Sequence, residues 1–183
     1  MMNSRDISKL RPDVADNCRI LIALCAAKGL PVLVTGTVRD EEYQLDCVRR
    51  GTAAKTATKP TFHSVKAGLA FDICKNVKGH EYDDAKFFEQ VGAIGKQMGF
   101  TWGGDWKSFP DKPHFQWDNY GKTTSEMVLA GKYPPIMPKY NQEVGLAIST
   151  IQKATGLHDD TIQYLRDYKY GEDLLIKLAK AMK

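Results

Sequence analysis

The stretch KYPPIMPKY, at residues 132–140, divides the chain into two parts of different character. Three prolines within five residues form a stiff break, because proline fixes its own backbone torsion and offers no amide hydrogen to a helix or sheet. Before this break helical and strand patterns alternate, and beyond it only helical patterns occur. The sequence therefore predicts a domain at 1–133, a Pro-rich linker at 134–138 and a helical C-terminal module at 139–183.

Three short strands are predicted in the first part, at PVLVT, GLAFDIC and HFQW. In GLAFDIC the larger apolar residues alternate with Ala70 and Asp72, so Asp72 is expected on the opposite face of the strand. The segment 51–62 is predicted to be irregular. The helical spacing of apolar residues predicts four helices, which run from Pro12 towards Gly29, within 36–51, over about 83–98 and over about 123–130.

Composition limits the classes of protein to which the chain can belong. With 183 residues it is long enough for one domain of usual size and a small appendage. Apolar residues make up 43% and charged residues 26%, which is typical of a globular protein. No apolar run approaches the roughly 18 residues that cross a bilayer. The net charge is only +4 and no stripe of Lys and Arg interleaves with aromatics, so we expect neither a membrane nor nucleic acid as partner.

The cysteines indicate the compartment in which the chain folds. Cys18, Cys25, Cys47 and Cys74 have no CxxC spacing, which predicts four buried, unpaired thiols in a reducing compartment. The stretch ILIALCAA at 20–27 follows acidic residues and runs into a strand, so it is interpreted as a buried helix and not as a signal-peptide core. We therefore expect synthesis in the cytoplasm without an export signal.

Two of the four histidines are candidate metal ligands. His80 and His158 lie in hydrophilic or acidic surroundings and are interpreted as surface residues. His63 and His114 lie beside predicted strands together with acidic groups. A catalytic zinc ion takes two imidazoles and one carboxylate and leaves a fourth position for water, and His63, Asp72 and His114 can supply that set. Because such a bare pattern is common by chance, an ordinary loop histidine remains the alternative.

Three segments carry a resemblance to a known family: VTGTVRDEEYQ, FHSVKAGLAFDI and WGGDWKSFPDKPHFQW. They occur in the same order as in zinc peptidases of the D-alanyl-D-alanine carboxypeptidase type. The chain most resembles bacteriophage endolysins that act as L-alanyl-D-glutamate endopeptidases on peptidoglycan. The resemblance covers roughly residues 4–130, and the block DKPHFQ is its most specific part. It implies an α+β fold, in which helices flank a small and mainly antiparallel sheet, and one Zn²⁺ ion per chain.

The resemblance implies that His63, Asp72 and His114 are the three zinc ligands. In the usual family pattern the first histidine stands three residues before the glycine and seven before the aspartate. Here His63 stands five residues before Gly68 and nine before Asp72. Two residues are therefore inserted, and we expect the loop to absorb them while returning the imidazole to the metal.

The same resemblance implies further functional residues. Asp111 matches the carboxylate that serves as general base. Arg39 matches the arginine that faces the scissile carbonyl oxygen and opposes the charge that develops there. Gln44, Trp102 and Trp106 match positions that either contact the substrate or pack in the core.

These assignments predict an endolysin that uses a metal-activated water to hydrolyse the L-alanyl-D-glutamate bond of bacterial peptidoglycan. A D-alanyl-D-alanine carboxypeptidase with the same zinc chemistry is the alternative among enzymes, and a non-catalytic peptidoglycan-binding domain is the alternative from another class. The family implies that such an enzyme stays in the host cytoplasm and acts on the cell wall after release. The module at 139–183 is interpreted as a wall anchor, a dimerising element or a packing element.

Overall fold

The computed structural model describes residues 1–53 and 57–182. The chain forms two compact units, Met1–Lys139 and Tyr140–Lys183. Among the described residues, no helix is both long enough and apolar enough to cross a bilayer.

The first unit combines α-helices with short β-strands. Its helices are α1 (Pro12–Ala27), α2 (Glu41–Arg49), α3 (Ala85–Gln97) and α4 (Ser125–Leu129). Its strands are β1 (Val32–Gly36), β2 (Ala70–Lys75), β3 (Thr101–Trp102) and β4 (His114–Gln116). Short 3-10 helices occur at Ile7–Lys9 and Gly103–Asp105. Strand β3 was not predicted, and residues 54–56 of the segment predicted to be irregular lie outside the described residues.

The four strands form one antiparallel sheet in the order β1-β2-β4-β3. Its register places Asp72 of β2 opposite His114 of β4. On the other side of β2, Gly36 of β1 lies opposite Asp72, next to an irregularity in the pairing after Val34. Residues that face each other across an antiparallel pair have neighbouring side chains. The prediction of an α+β fold with a small antiparallel sheet is confirmed.

One face of the sheet packs in the core of the first unit. The rings of Phe71 and Phe115 stack there with their centroids 5.5 Å apart. A Cβ on Gly95 of α3 would lie 2.5 Å from the Phe115 ring, so this glycine lets the helix approach the sheet closely. Because side chains alternate along a strand, Asp72 and His114 project from the opposite face.

The Pro-rich segment that was predicted to be a linker packs onto the first unit. The Arg11 guanidinium donates hydrogen bonds to the carbonyl oxygens of Pro134 and Pro135, each at 2.9 Å. The indole N–H of Trp117 also donates to Pro135, at 2.8 Å. These backbone acceptors have partners in the first unit, which ends at Lys139.

The second unit is helical, as predicted. Its helices are α5 (Gln142–Thr155), α6 (Asp159–Arg166) and α7 (Gly171–Ala181). A small apolar core lies between them, formed by Val144, Ala147, Ile148, Ile151, Ile162, Leu175 and Ala179. The N-cap of α6 is His158, and Asp159 and Asp160 lie in the first turn, where their charge favours the positive end of the helix.

All four cysteines are buried and free, as predicted. Burial raises the pKa of Cys18 to about 12 and that of Cys25 to about 12. Because the thiolate is the reactive form, these two side chains act as small apolar core residues.

Candidate metal centre

Three side chains of the ligand type converge beside the sheet: His63 from the loop before β2, Asp72 from β2 and His114 from β4. His63 Nε2 lies 3.1 Å from His114 Nδ1, and each of these nitrogens lies 3.2 Å from Asp72 Oδ1. Ligands at about 2.0–2.1 Å from a tetrahedral zinc ion are about 3.3 Å from one another. The three atoms are therefore spaced like one face of a zinc coordination tetrahedron.

Hydrogen bonds on both sides hold His63 in place. Its ring Nδ1 donates to the carbonyl oxygen of Thr37 at 2.6 Å. Its own carbonyl oxygen accepts from the backbone N–H of Arg39 at 2.8 Å, and the carbonyl of Phe62 accepts from Leu69, also at 2.8 Å. The position of this imidazole is thus fixed by neighbours from outside its loop.

The longer spacing between His63 and Gly68 is accommodated by a hydrogen-bonded turn. The backbone N–H groups of Ala67 and Gly68 both donate to the Ser64 carbonyl, at 3.0 and 2.9 Å. Gly68 has a φ of 57°, and a Cβ there would lie 2.7 Å from the backbone nitrogen of Arg11. Only glycine fits this tight return into β2.

The carboxylate of Asp72 occupies space left by a glycine. A Cβ on Gly36 would lie 3.0 Å from Asp72 Oδ2. Burial opposes ionisation of Asp72, but the charges and hydrogen bonds of His63 and His114 outweigh it and hold its pKa well below the usual value. Asp72 is therefore a carboxylate at neutral pH, as a metal ligand must be.

The outer hydrogen bonds place the imidazole protons. The Thr37 carbonyl can only accept, so His63 Nδ1 carries a proton and the lone pair on Nε2 faces the cluster. Gln116 Oε1 lies 3.0 Å from His114 Nε2, which puts the proton there and leaves the lone pair on Nδ1. The lone pairs of the two imidazoles and an oxygen of the Asp72 carboxylate therefore face one another. A bound cation stabilises this arrangement, and the donor set fits zinc.

The two imidazoles differ in basicity. Burial lowers the pKa of His63, although the charge of Asp72 opposes the shift. Burial also acts against protonation of His114, but its hydrogen bond to Asp72 and the charge of that carboxylate raise its pKa overall. His114 is therefore the more basic of the two imidazoles. The other two histidines, His80 and His158, are exposed, as predicted.

One relative establishes the family of this chain, and a family model also matches part of it. Residues 55–117 match the family model described as D-alanyl-D-alanine carboxypeptidase. The chain is similar to the peptidoglycan L-alanyl-D-glutamate endopeptidase CwlK of Bacillus subtilis, with 32% identity over 126 residues, 60% of this chain and 74% of that protein. The chain belongs to the D-alanyl-D-alanine carboxypeptidase family of metallopeptidases. The family resemblance of the sequence motifs is thereby confirmed.

Two further proteins are similar to this chain, one in sequence and one in structure. The L-alanyl-D-glutamate peptidase of Listeria phage A118 is 31% identical over 123 residues, which is 65% of this chain but only 42% of the phage protein. The crystal structure of the Serratia marcescens L-Ala D-Glu endopeptidase ChiX covers 67% of this chain and 93% of its own, with a TM-score of 0.53 and 21% identity. ChiX thus shares the fold.

In this family member, Asp111 lines a cleft together with the three clustered side chains. Its backbone N–H donates to Gly103 at 2.9 Å, and its carbonyl accepts from the N–H of His114 at 3.1 Å. A Cβ on Gly103 would lie 2.5 Å from that carbonyl oxygen, so glycine permits this turn. Burial raises the pKa of Asp111; the charge of His114 opposes the rise and that of Asp72 adds to it.

Arg39 also lines the cleft. Its backbone bridges to Asn3 on one side and to Ser64 on the other, which ties its position to that of the His63 loop. Its Nη1 lies 3.9 Å from the sulfur of Cys47, a weak contact. Its Nε is buried and has no hydrogen-bond partner among the described residues. Among the described residues, the guanidinium therefore makes no strong hydrogen bond.

The remaining predicted residues differ in location. Gln44 is buried at the cleft wall, and its Nε2 donates to the carbonyl of Ala57 at 2.7 Å, in the segment before the first histidine. Trp106 lines the cleft with its ring centroid 5.0 Å from that of His114. Trp102 is buried in the core, where the ammonium of Lys96 lies over its ring.

Sequence analysis did not identify three residues that support the cluster. Gln116 lies two positions after His114 on the same face of β4, so the strand period could have indicated it. Asp118 accepts a hydrogen bond from Gln116 at 2.9 Å. Thr37 acts on the site through its backbone carbonyl, which gives no side-chain signal in the sequence.

Proposed function

We propose that this chain is a zinc-dependent endopeptidase that hydrolyses the L-alanyl-D-glutamate bond of peptidoglycan stem peptides. The observation that supports this most is the convergence of His63 Nε2, Asp72 Oδ1 and His114 Nδ1 within 3.2 Å in the wall of a cleft. The names of the Bacillus and Listeria phage relatives supply the substrate bond. One Zn²⁺ ion per chain is the expected cofactor.

The three side chains would hold the metal and leave a fourth position for water and substrate. Zinc in such a site polarises the substrate carbonyl and lowers the pKa of water toward about 7. The hydrogen bonds from His63 to Thr37 and from His114 to Gln116 keep both rings oriented for this task.

Asp111 would be the general base. It would take a proton from the attacking water and give it to the amine that leaves. Burial raises its pKa, which brings a carboxyl group closer to the range in which it can both accept and release a proton. The hydrogen bond between its carbonyl and the N–H of His114 keeps it beside the ligands.

Arg39 would oppose the negative charge that grows on the scissile carbonyl oxygen. A preorganised cation contributes most when the charge develops only in the transition state. The bridges from its backbone to Asn3 and Ser64 hold it in position, and its buried Nε has no hydrogen-bond partner among the described residues.

The size of the cleft favours an endopeptidase over a carboxypeptidase, and its charge suits an acidic substrate. Its volume of about 1050 Å³ is at the upper end of the roughly 300–1,000 Å³ typical of ligand pockets, which is more than a terminal dipeptide needs. Its lining includes four cationic side chains that could pair with substrate carboxylates, such as that of D-glutamate: Arg5, Arg39, Arg50 and Lys59. Gln44 and Trp106 are proposed to contact the substrate, because both line this cleft.

Mass spectrometry of purified peptidoglycan tests the proposal. The zinc-loaded chain should produce stem peptides that begin with D-glutamate, and a chelator should abolish them. Release of terminal D-alanine would instead establish the carboxypeptidase. If the wall material is bound but not cut, the non-catalytic binding domain is the correct function.

We also propose that the enzyme is an endolysin that acts on the wall after release from the host cytoplasm, which the Listeria phage relative supports. The test is expression inside bacteria, followed by permeabilisation of the inner membrane. The culture should clear only after permeabilisation, and an inactive Asp111→Asn chain should not clear it.

The second unit is proposed to anchor the enzyme to the cell wall. Three tyrosines of this unit are exposed: Tyr164, Tyr168 and Tyr170. The rings of Tyr164 and Tyr168 meet edge to face at 5.4 Å, and their hydroxyl groups are joined by a 2.8 Å hydrogen bond. Aromatic rings with a polar edge are suited to surfaces that are partly apolar and partly wet, such as a polysaccharide.

A further inference from the structure

We propose that Asp118 is a positioning residue for the metal centre and acts through Gln116 to choose which nitrogen of His114 carries the proton. The inference rests on the proposed function, because it takes the cluster of two histidines and one aspartate to be a metal site. Asp118 has no hydrogen bond to any of the three ligands. Its influence is transmitted by the glutamine amide.

A continuous chain of hydrogen bonds connects these residues. His114 Nε2 lies 3.0 Å from Gln116 Oε1, and Gln116 Nε2 donates to Asp118 Oδ2 at 2.9 Å. The side chains are buried: Gln116 is 9% exposed and Asp118 is 4% exposed. Water therefore has little access to these bonds, and each group depends on its hydrogen-bond partner.

The direction of these hydrogen bonds follows from which groups can donate and which can only accept. A glutamine amide can present either its oxygen or its NH₂ to an imidazole, whereas a carboxylate can only accept. Asp118 therefore draws the NH₂ of Gln116 to itself and turns the oxygen towards His114 Nε2. The proton is fixed on Nε2, and the lone pair of Nδ1 is left to face the metal position. The reverse orientation of the amide would put the proton on Nδ1 and block that ligand.

Asp118 is itself held by two donors, and one of them, a backbone N–H, cannot act as an acceptor. Its Oδ1 accepts from the backbone N–H of Gly121 and from the hydroxyl of Thr101, each at 2.8 Å. The turn that it closes contains Asn119 and Tyr120 at φ values of 56° and 59°, a region that residues other than glycine seldom adopt. Stabilisation of this turn alone is the competing explanation for a buried carboxylate, and the experiment has to separate the two.

The Asp118→Asn variant reverses the direction of these hydrogen bonds without changing the size of the side chain. The N–H of Gly121 still requires an acceptor, so the new amide keeps its oxygen there and turns its NH₂ towards Gln116. The glutamine then presents its own NH₂ to His114 Nε2 and shifts the proton to Nδ1. We expect zinc affinity, measured by competition with a chromophoric chelator, to fall about 10- to 100-fold. Asp83→Asn, at an exposed aspartate paired with His80, should keep the wild-type affinity.

A second substitution distinguishes this action of Asp118 through Gln116, here called the relay, from a purely structural role of Asp118. In the double variant Asp118→Asn with Gln116→Glu, the carboxylate at position 116 accepts from both sides and returns the proton to His114 Nε2. Zinc affinity should recover to the wild-type value, although position 118 carries the same asparagine as in the single variant, and any effect of that asparagine on the turn at Gly121 is unchanged. An unchanged affinity in Asp118→Asn, or no recovery in the double variant, would overturn the proposal.

Two further measurements keep the result unambiguous. If Asp118→Asn does not fold, Gln116→Met removes the amide and leaves the bonds from Thr101 and Gly121 to Asp118 in place. It should lose zinc affinity about tenfold or more, and wild-type affinity would overturn the relay. Failure of the wild-type chain to bind zinc would overturn the proposed function and the relay together, so the two failures give different results.

Discussion

His63 Nε2 lies 3.1 Å from His114 Nδ1, although the two residues are 51 positions apart in the chain. Both nitrogens direct a lone pair into the same space, because the outer nitrogen of each ring faces an acceptor oxygen, of Thr37 or Gln116. Only a proton or a metal ion between them makes this contact favourable. Metal binding is therefore the most direct measure of whether the site is intact.

The variant His114→Ala should lose the bound metal. It leaves one imidazole and one carboxylate, too few ligands for a stable mononuclear zinc site. Elemental analysis after dialysis should give much less than one zinc per chain, whereas His80→Ala, at an exposed histidine, should keep the full amount. A His114→Ala chain that retained one zinc would refute the ligand assignment.

The variant Asp111→Asn should keep zinc and lose cleavage. The amide cannot take a proton from water, and general acid–base groups contribute about 100- to 10,000-fold to rate. Release of stem peptides should fall by that factor at unchanged zinc content. The matched control is Asp105→Asn, in the same segment, whose carboxylate pairs with Lys96 at the surface. Normal turnover of Asp111→Asn would remove this residue from the mechanism.

The variant Gly103→Ala should be destabilised. A methyl group there would lie 2.5 Å from the backbone oxygen of Asp111, which is not a flexible side-chain atom that can move aside. Overpacking of this kind reduces the free energy of unfolding by about 1–3 kcal/mol. Denaturant titration should detect the loss, and Ser108→Ala, at an exposed position of the same segment, should show none.

The variant Asp13→Asn should show a stability loss that disappears in acid. Burial would raise the pKa of Asp13, but hydrogen bonds from Arg11 and the backbone of Met137 outweigh it and lower the pKa. A carboxyl group whose pKa is lowered in the folded state stabilises the fold when the pH is above its ordinary pKa. This stabilisation is lost as the pH falls through the pKa of the folded state. The variant should lose about 1.5–3 kcal/mol at pH 7, and the difference from wild type should shrink below about pH 4.

Denaturation at several pH values, monitored by circular dichroism, measures this effect. The control is Asp16→Asn, because Asp16 is an exposed residue whose pair with Arg19 contributes little. A difference for Asp13→Asn that stayed constant from pH 7 to the acid range would contradict the linkage.

Replacement of Tyr164, Tyr168 and Tyr170 by alanine should weaken attachment to cell walls. Removal of three exposed rings takes away the aromatic surface of the second unit but none of its buried core. The bound fraction can be measured by co-sedimentation with purified walls in the presence of a chelator, which prevents cleavage. Tyr133→Ala, at an exposed tyrosine of the first unit, serves as control. Equal sedimentation of all chains would end the anchoring proposal.

Sequence patterns predicted the longer elements and missed the shortest. Strand β2 was visible because Phe71 and Ile73 alternate with Asp72, and α1 because its apolar residues recur at helical spacing. Strand β3 has two residues, Thr101–Trp102, too few for any periodicity to appear. It exists because it pairs with β4, which is a tertiary interaction that a local pattern does not contain.

The sequence predicted those parts of the candidate site whose side chains belong to the family motifs. The cluster of His63, Asp72 and His114 could be named from the sequence with the help of the family resemblance. The pairing of Asp72 with His114 follows from strand register, which spacing does not give. The support from Asp118 was hidden, because a buried aspartate after a strand has the same local signature as an exposed turn residue. The core position of Trp102 likewise depends on tertiary packing.

The hydrogen bonds that hold His63 from outside its loop separate loop length from ligand position. The turn between Ser64 and Gly68 can gain or lose residues while Thr37 and Leu69 keep the imidazole and its neighbour in place. A search for relatives that requires a fixed interval between this histidine and the following glycine would pass over chains like this one. A pattern that fixes the paired strands bearing Asp72 and His114, and lets the first interval vary, would recover them.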